Sequence, residues 1–498
     1  METSEYLPIV YVRGFAGGTD GINRVVTDPF YGFNEGSTTV RVGGDGEPLF
    51  FQFESPLLRL HLDEGYEIGG PPSTLDTPAA VKPNSIWIHR FYDVSASTWG
   101  EKPQAYSLER AADDLFGLIE KLRARSGAPR VHLVAHSMGG LICRCLLQKV
   151  LPDKGLDPAD WVDKLFTYAT PHGGIAFDVG FGLLERLRDL TGIDGADIFG
   201  RDRMYQYLTP AAQRGGRPPA GWKPEEMPDD GFPKERVFCL IGTNPENYDV
   251  AHGLSSFAVG PKSDGLVQIE KAYVPGARHA FVHRSHSGPY GVVNSEEGYQ
   301  NLRRFLFGDL QVRVDLLGAL PRTDRRISWQ AEVRLSIRGL AIVMHEQTAD
   351  HWCPIQLSLP SSDDTPDTPY PLLTLFLSSS APRPDQAAGM RYGLHLRLLS
   401  VEQTDHTLWF GNHLERVADF DDILIVDMDA GASGLRAAAK WNSGIVGALR
   451  DYEPGEDERL ADENPEPGVW LANVRLPRTA EPILGPDAHL RLTVTARS

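Results

Sequence analysis

Two regimes of apolar and polar positions divide the chain. In the first, short apolar runs alternate with stretches whose apolar residues recur every three or four positions; from Leu310 onward, apolar and polar residues alternate one by one. The first regime opens with an apolar strand over 6–12. A hairpin follows over 38–53, with the run GGDGEP as its turn. Ser55 before Pro56 supplies an N-cap and a proline at the first helical position, which predicts a helix to about Glu64. Residues 85–94 read as a second, parallel strand. The stretch 107–125 is an amphipathic helix capped by Ser107, with Leu115, Leu118, Ile119 and Leu122 on its buried stripe. Further strands are predicted over 131–134, 164–170 and 237–241, with 272–274 as a last strand segment, and a helix over 295–307 closes the region. Strands alternating with helices at this spacing predict a mainly parallel sheet covered on both faces.

The second regime holds runs such as LQVRVDLLG, ISWQAEVRLSIRG, YGLHLRLLSV and DDILIVDMD, separated by turn-rich spacers. They predict an antiparallel sandwich of roughly eight strands. One helix is expected to interrupt it, over 432–452, and the acidic stretches SSDDTPDT and DFDD read as solvated turns. The expected division is therefore a first domain over 1–308 and a β-sandwich-like accessory domain over 309–498. Within the first, an insertion at about 175–235 carries two helical pieces, 181–192 and 201–208. It reads either as a cap buried against the sheet domain or as a lid over a site, and a cap helix can also line a pocket.

Charge and composition narrow the partners. A formal charge of −18 over 498 residues argues against binding nucleic acid or an anionic membrane through net charge. The four cysteines, Cys143, Cys145, Cys239 and Cys353, show neither a disulfide framework nor paired metal spacing, and read as small buried hydrophobes. The N-terminus lacks a basic segment before its short apolar run, and no window holds about 18 uninterrupted apolar residues. A cytoplasmic protein is expected, unless export is signal-independent.

Candidate chemistry centres on 130–150, RVHLVAHSMGGLICRCLLQKV. Residues 131–134 are largely apolar and lead to Ser137, after which two glycines open a segment with Leu141, Ile142, Cys145, Leu146 and Val150 at helical spacing. This is strand, sharp turn, helix, with a serine at the apex and small residues, Ala135 and Gly139, two positions to either side. Such an elbow lifts a serine Oγ above a sheet, with a helix N-terminus aimed at it. The glycine-rich turn RGFAGG after the first strand lacks the spacing of a dinucleotide fingerprint. Beside a serine elbow it suits an oxyanion hole, in which the N–H groups of Phe15 and Met138 face the developing charge. Serine needs a base, and the base needs an orienting acid. His286, His283 and His279 are candidates for the first, Asp264 and Asp249 for the second. His136 reads as a hydrogen-bonded scaffold residue and His172 as structural or pocket-lining. His279, Phe281 and His283 alternate as a strand does.

Together VRGFAGG, AHSMGG, ATPHGG, SDGLV and the HS pair of the last loop resemble a bacterial lipase of the α/β-hydrolase superfamily; the TPHGG strand end is similar to that of related deacylases. The resemblance covers residues 6 to about 308. It implies an α/β-hydrolase fold with a helical cap, and a Ser-Asp-His chain order filled by Ser137, Asp264 and His286. The base of such lipases lies in a loop shortly before the final helix, which favours His286, and the SDGLV match favours Asp264. Lipases usually carry a histidine where this chain has Arg13, before the glycine of the first turn. The implied activity is cleavage of carboxylic esters, lipid or acyl, through an acyl-enzyme, with no cofactor and no metal. The implied partner is a small-molecule or lipid ester, with room for peripheral contact with a lipid interface. An acyltransferase using the same elbow, or an interaction protein whose β domain binds a partner, are the alternatives.

Overall fold

A computed structural model describes residues 6–14, 23, 25–42, 46–93, 107–175, 198–246, 261–319, 327–357, 368–379, 390–402, 416–431, 434–464 and 468–497. The chain divides into two compact units, one made of Met1–His279 with His283–Leu302, the other of Ala280–Val282 with Arg303–Ser498.

Before Leu310 the strands are β1 (Ile9–Val12), β2 (Ser37–Val42), β3 (Pro48–Phe53), β4 (Glu67–Ile68), β5 (Ser85–Ile88), β6 (Val131–His136), β7 (Val162–Tyr168), β8 (Val237–Gly242) and β9 (Arg278–Val282). Seven form one sheet in the order β4-β5-β1-β6-β7-β8-β9. The pairs from β4 to β8 are parallel. A parallel strand is buried on both faces, so its side chains need not alternate. Ile9, Val10 and Val12 of β1, and Val131, Leu133 and Val134 of β6, are accordingly all without exposure. The hairpin β2–β3 stands apart as an antiparallel pair with Thr38 opposite Gln52.

The helices are α1 (Pro56–Glu64), α2 (Leu108–Ser126), α3 (Met138–Cys145), α4 (Arg201–Leu208) and α5 (Glu296–Phe307). Ser55 Oγ accepts the Leu58 N–H at 3.1 Å at the head of α1, and Ser107 accepts the Arg110 N–H at the head of α2. Of the insertion, 181–192 lies outside the described residues. Its second piece, α4, is a packed cap helix: Met204 and Tyr207 are fully buried, and Arg203 reaches Glu109 of α2 with two hydrogen bonds of 2.5 and 2.6 Å. The last strand is β9, not 272–274. Ala272 and Val274 of the latter segment are buried, but it follows a helical turn at Ile269–Lys271, and Pro275 and Gly276 turn it with an Ala277 N–H to Val274 C=O bond. Apolar side chains can be buried there without a strand partner. Among the described residues, no helix is long and apolar enough to cross a membrane.

The second unit holds two antiparallel sheets. One has the order β14 (Tyr370–Leu377), β10 (Leu310–Leu317), β20 (His489–Ala496), β19 (Val469–Arg475). The other runs β12 (His345–Gln347), β11 (Ile327–Ile337), β15 (Met390–Glu402), β16 (Arg416–Gly431), β17 (Gly434–Trp441), β18 (Arg459–Leu460), with β13 (Ile355–Leu357) also on β11. Val312, Val314 and Leu316 of the first and Leu394, Leu396 and Leu398 of the second belong to one core. The period-two pattern is thus satisfied, with more strands than the sequence suggested. The helix expected over 432–452 is instead β17 followed by short helical turns. Alternation explains it: Leu435, Ala437, Ala439 and Trp441 stand opposite Ala430, Met428, Val426 and Leu424 of β16 and turn toward the core. Pairing on both edges overrides the helix preference of three alanines. DFDD is not a turn either. It lies in β16, where Asp421 meets His395 at 2.6 Å and Arg397 at 3.2 Å, and Asp422 accepts the Ser443 hydroxyl at 2.5 Å. All of SSDDTPDT but Thr368 lies outside the described residues.

Candidate active site

Ser137 occupies the single residue between β6 and α3, with φ 56° and ψ −130°. A non-glycine residue in so sparsely populated a region costs about 1–3 kcal/mol and persists only where its surroundings dictate it. Here the Ser137 N–H donates to the Tyr168 carbonyl at 2.8 Å, and the Thr170 hydroxyl donates to the Ser137 carbonyl at 2.9 Å. Two glycines leave the space. A Cβ on Gly139 would lie 2.2 Å from the Val12 carbonyl oxygen, and one on Gly14 would lie 2.5 Å from the Ser137 Cβ. Ala135, by contrast, sits in the strand ladder opposite Val12 and Thr167, where a methyl group fits. This is the physical basis of A-x-S-x-G in place of G-x-S-x-G.

Ser137 is also the N-cap of α3, yet its side chain makes no capping bond. Its Oγ lies instead 2.9 Å from His286 Nε2. The Ser137 hydroxyl therefore occupies none of the first-turn N–H groups of α3, which begin at the buried Met138 at the positive end of the helix; the Gly140 N–H donates to the Ser137 carbonyl at 3.0 Å. Phe15, the other candidate oxyanion donor, lies outside the described residues.

Asp264 and His286 come from loops beyond β8 and β9. Asp264 Oδ1 accepts the N–H groups of Leu266 at 3.0 Å and Val267 at 2.8 Å, while Oδ2 takes the His286 Nδ1–H at 2.9 Å. The His286 loop closes on itself through a Ser285 N–H to Tyr290 C=O bond of 3.1 Å and a Val292 N–H to Ser285 C=O bond of 3.0 Å. Ser137, Asp264 and His286 are 5, 1 and 2 % exposed. The structure brings these three together in one buried hydrogen-bonded line, an arrangement able to draw a proton from a hydroxyl.

The other histidines have separate places. His136 Nε2 is 2.9 Å from the main-chain oxygen of His286. His172 is fully buried, with Nε2 3.1 Å from Thr167 Oγ1 and 3.5 Å from Cys239 Sγ. Burial, and then the Arg144 cation, hold its pKa well below the ordinary histidine value. His279 lies in β9 against Tyr273, its pKa lowered by burial, and His283 sits 3.4 Å from the Thr243 hydroxyl. Asp249 lies outside the described residues. All four cysteines are buried and free.

Arg144 is the site-supporting residue that motif reading passes over. It is fully buried and donates to Gln148 Oε1 at 2.7 Å, to the His172 carbonyl at 3.1 Å and to the Glu226 carbonyl at 3.0 Å. It thereby ties the elbow helix to the TPHGG loop and to the cap segment. Its signal in the sequence is a lone cation inside the apolar run LICRCLL.

Sheet order, parallel pairing and a strained serine between a central strand and a helix define the first unit as an α/β-hydrolase fold. Residues 92–291 match the model of the alpha/beta hydrolase family, and Arg303–Ser498 of the second unit lies outside the match. The chain is similar to the crystal structure of the lin2722 gene products from Listeria innocua, with 14% identity, 60% of this chain and 94% of that chain covered, and a TM-score of 0.26. It is likewise similar to a Lactobacillus plantarum WCFS1 protein named "putative cell surface hydrolase", with 14% identity, coverage of 61% and 91%, and the same TM-score of 0.26. At these TM-scores neither likeness adds to the fold read from the sheet. No curated protein matches the chain.

Proposed function

We propose that the protein is a serine hydrolase that cleaves carboxylic esters, of lipid or acyl type, through an acyl-enzyme on Ser137. The observation that carries the reading is the run of two 2.9 Å hydrogen bonds from Asp264 Oδ2 through His286 to Ser137 Oγ. In this scheme His286 Nε2 takes the hydroxyl proton as Oγ attacks the ester carbonyl. Asp264 fixes the imidazole with its proton on Nδ1 and balances the charge that the ring acquires. The oxyanion falls to the Met138 N–H at the head of α3, with the Phe15 N–H as second donor. His286 then returns the proton to the leaving alkoxide, and water repeats the sequence to release the acid. Neither metal nor cofactor enters the route.

The test is hydrolysis of a soluble 4-nitrophenyl ester together with labelling by a fluorophosphonate. Wild type should label at Ser137, and Ser137→Ala should lose kcat by about 10⁴-fold or more. Undiminished turnover by Ser137→Ala would remove Ser137 as nucleophile. Capture of the acyl group by an added alcohol in preference to water would make the enzyme a transferase on the same residues.

A further inference from the structure

His136 takes no part in the proton path above, yet it touches the residue at the centre of that path. A carbonyl oxygen only accepts, so the contact of His136 Nε2 with the His286 main-chain oxygen, at 2.9 Å, places a proton on Nε2. The His286 N–H, for its part, donates to the Asp264 carbonyl at 2.9 Å. All four polar groups of His286 are thereby held: N–H and Nδ1 by Asp264, C=O and Nε2 by the consecutive residues His136 and Ser137.

We propose that His136 is a positioning residue for the base, holding the main chain of His286 so that its Nε2 stays on Ser137 Oγ. The inference rests on the Ser137–His286–Asp264 reading and extends it. The rigidity of the two partners differs. His136 ends β6, which is paired on both sides by β1 and β7. His286 sits in a turn between β9 and α5 that belongs to no strand and is pinned by one isolated bridge, Ser285 with Gly291. Because His136 and Ser137 are adjacent, the bond transmits the position of a central strand to the base and keeps base and nucleophile in one frame. Rate falls about 10²-fold for a misplacement near 1 Å, so such a tie matters even though it is remote from bond making.

The ring also has to remain uncharged, since a cation 5.0 Å from the His286 ring, centroid to centroid, would oppose the imidazolium formed there. The surroundings secure this. Burial, then His286, then the Arg13 guanidinium push the His136 pKa well below the ordinary value, against the pull of the hydrogen bond to the His286 carbonyl.

The experiment compares His136→Phe, which keeps a ring and removes the donor, with His136→Gln, whose amide N–H can reach the same carbonyl. Both are assayed on the nitrophenyl ester and with the fluorophosphonate, after circular dichroism has shown them folded. His136→Phe should lower kcat about 10- to 100-fold with KM nearly unchanged and slow labelling in step, while His136→Gln should recover most of the loss. An unaltered kcat in folded His136→Phe, or equal losses in both variants, would overturn the proposal. Where His136→Phe does not fold, His136→Gln decides alone: near-wild-type kcat supports the bond, and a loss beyond about 100-fold in the folded variant overturns it. Failure of the triad reading shows separately, as hydrolysis by Ser137→Ala.

Discussion

Asp264 holds His286 at two points, its main-chain carbonyl taking the His286 N–H and its Oδ2 taking the Nδ1–H, each at 2.9 Å. Its other carboxylate oxygen is engaged by two backbone N–H groups, so the side chain has one orientation. Asp264→Asn keeps the main-chain tie and the size of the side chain. It loses the negative charge and offers an amide where Nδ1–H needs an acceptor. The expected result is a melting temperature close to wild type with kcat reduced by about 10⁴-fold. Retention of more than a tenth of the wild-type kcat would exclude Asp264 as the acid.

The backbone of Ser137 yields a second prediction, independent of substrate. Alanine at 137 keeps the left-handed φ of 56° that serine has, whereas glycine adopts it without strain. Both variants lose Oγ. Ser137→Gly should therefore be more stable than Ser137→Ala, by about 1 kcal/mol, reversing the usual order of the two residues. Urea unfolding of the pair measures it, and equal midpoints would mean that the elbow stores no strain.

Much of the first unit is readable from the chain because its physics is local. Apolar runs mark strands buried on both faces, Ser55 and Ser107 announce helix starts, and Ala135, Ser137 and Gly139 describe the turn they make. What escapes is set by distant partners. Nothing near 272–274 tells that its apolar residues are buried without pairing, and nothing within 434–441 reveals that β16 lies beside it. The His136 to His286 bond joins residues 150 positions apart. Arg144 is similar: its position in an apolar helix is visible, but the carbonyls that receive it are not.

Arg144 provides the third prediction. It is fully buried, and desolvation lowers its pKa to about 10, which leaves it charged at neutral pH. Arg144→Met fills much of the volume but strands two buried acceptors, the His172 carbonyl and Gln148 Oε1. Orphaned buried acceptors cost about 1–3 kcal/mol each, so a loss of about 2–5 kcal/mol in unfolding free energy is expected. Arg144→Lys should fail as well, because one ammonium does not reproduce a planar fork aimed at three acceptors. Stability within about 0.5 kcal/mol of wild type in Arg144→Met would show that the stitching is dispensable.

Acid sensitivity is the fourth. His89 is 4 % exposed, its Nε2 lies 2.9 Å from the Ala111 carbonyl, and burial lowers its pKa to about 4, more than the hydrogen bond raises it. In the unfolded chain the ring titrates near 6.5. Between those values the unfolded state binds a proton that the folded state refuses, so stability is full above about pH 6.5 and falls as pH drops toward about 4. A gap of about 2.5 units corresponds to about 3 kcal/mol. His136, His172 and His279 have lowered pKa values too, and act with the same sign. His89→Gln can donate to the Ala111 carbonyl in every protonation state and carries no titrating group. Urea unfolding at pH 7.0 and 4.5 should show the variant losing less stability on acidification than wild type. An identical pH dependence in the two would mean that His89 is not held neutral by the fold.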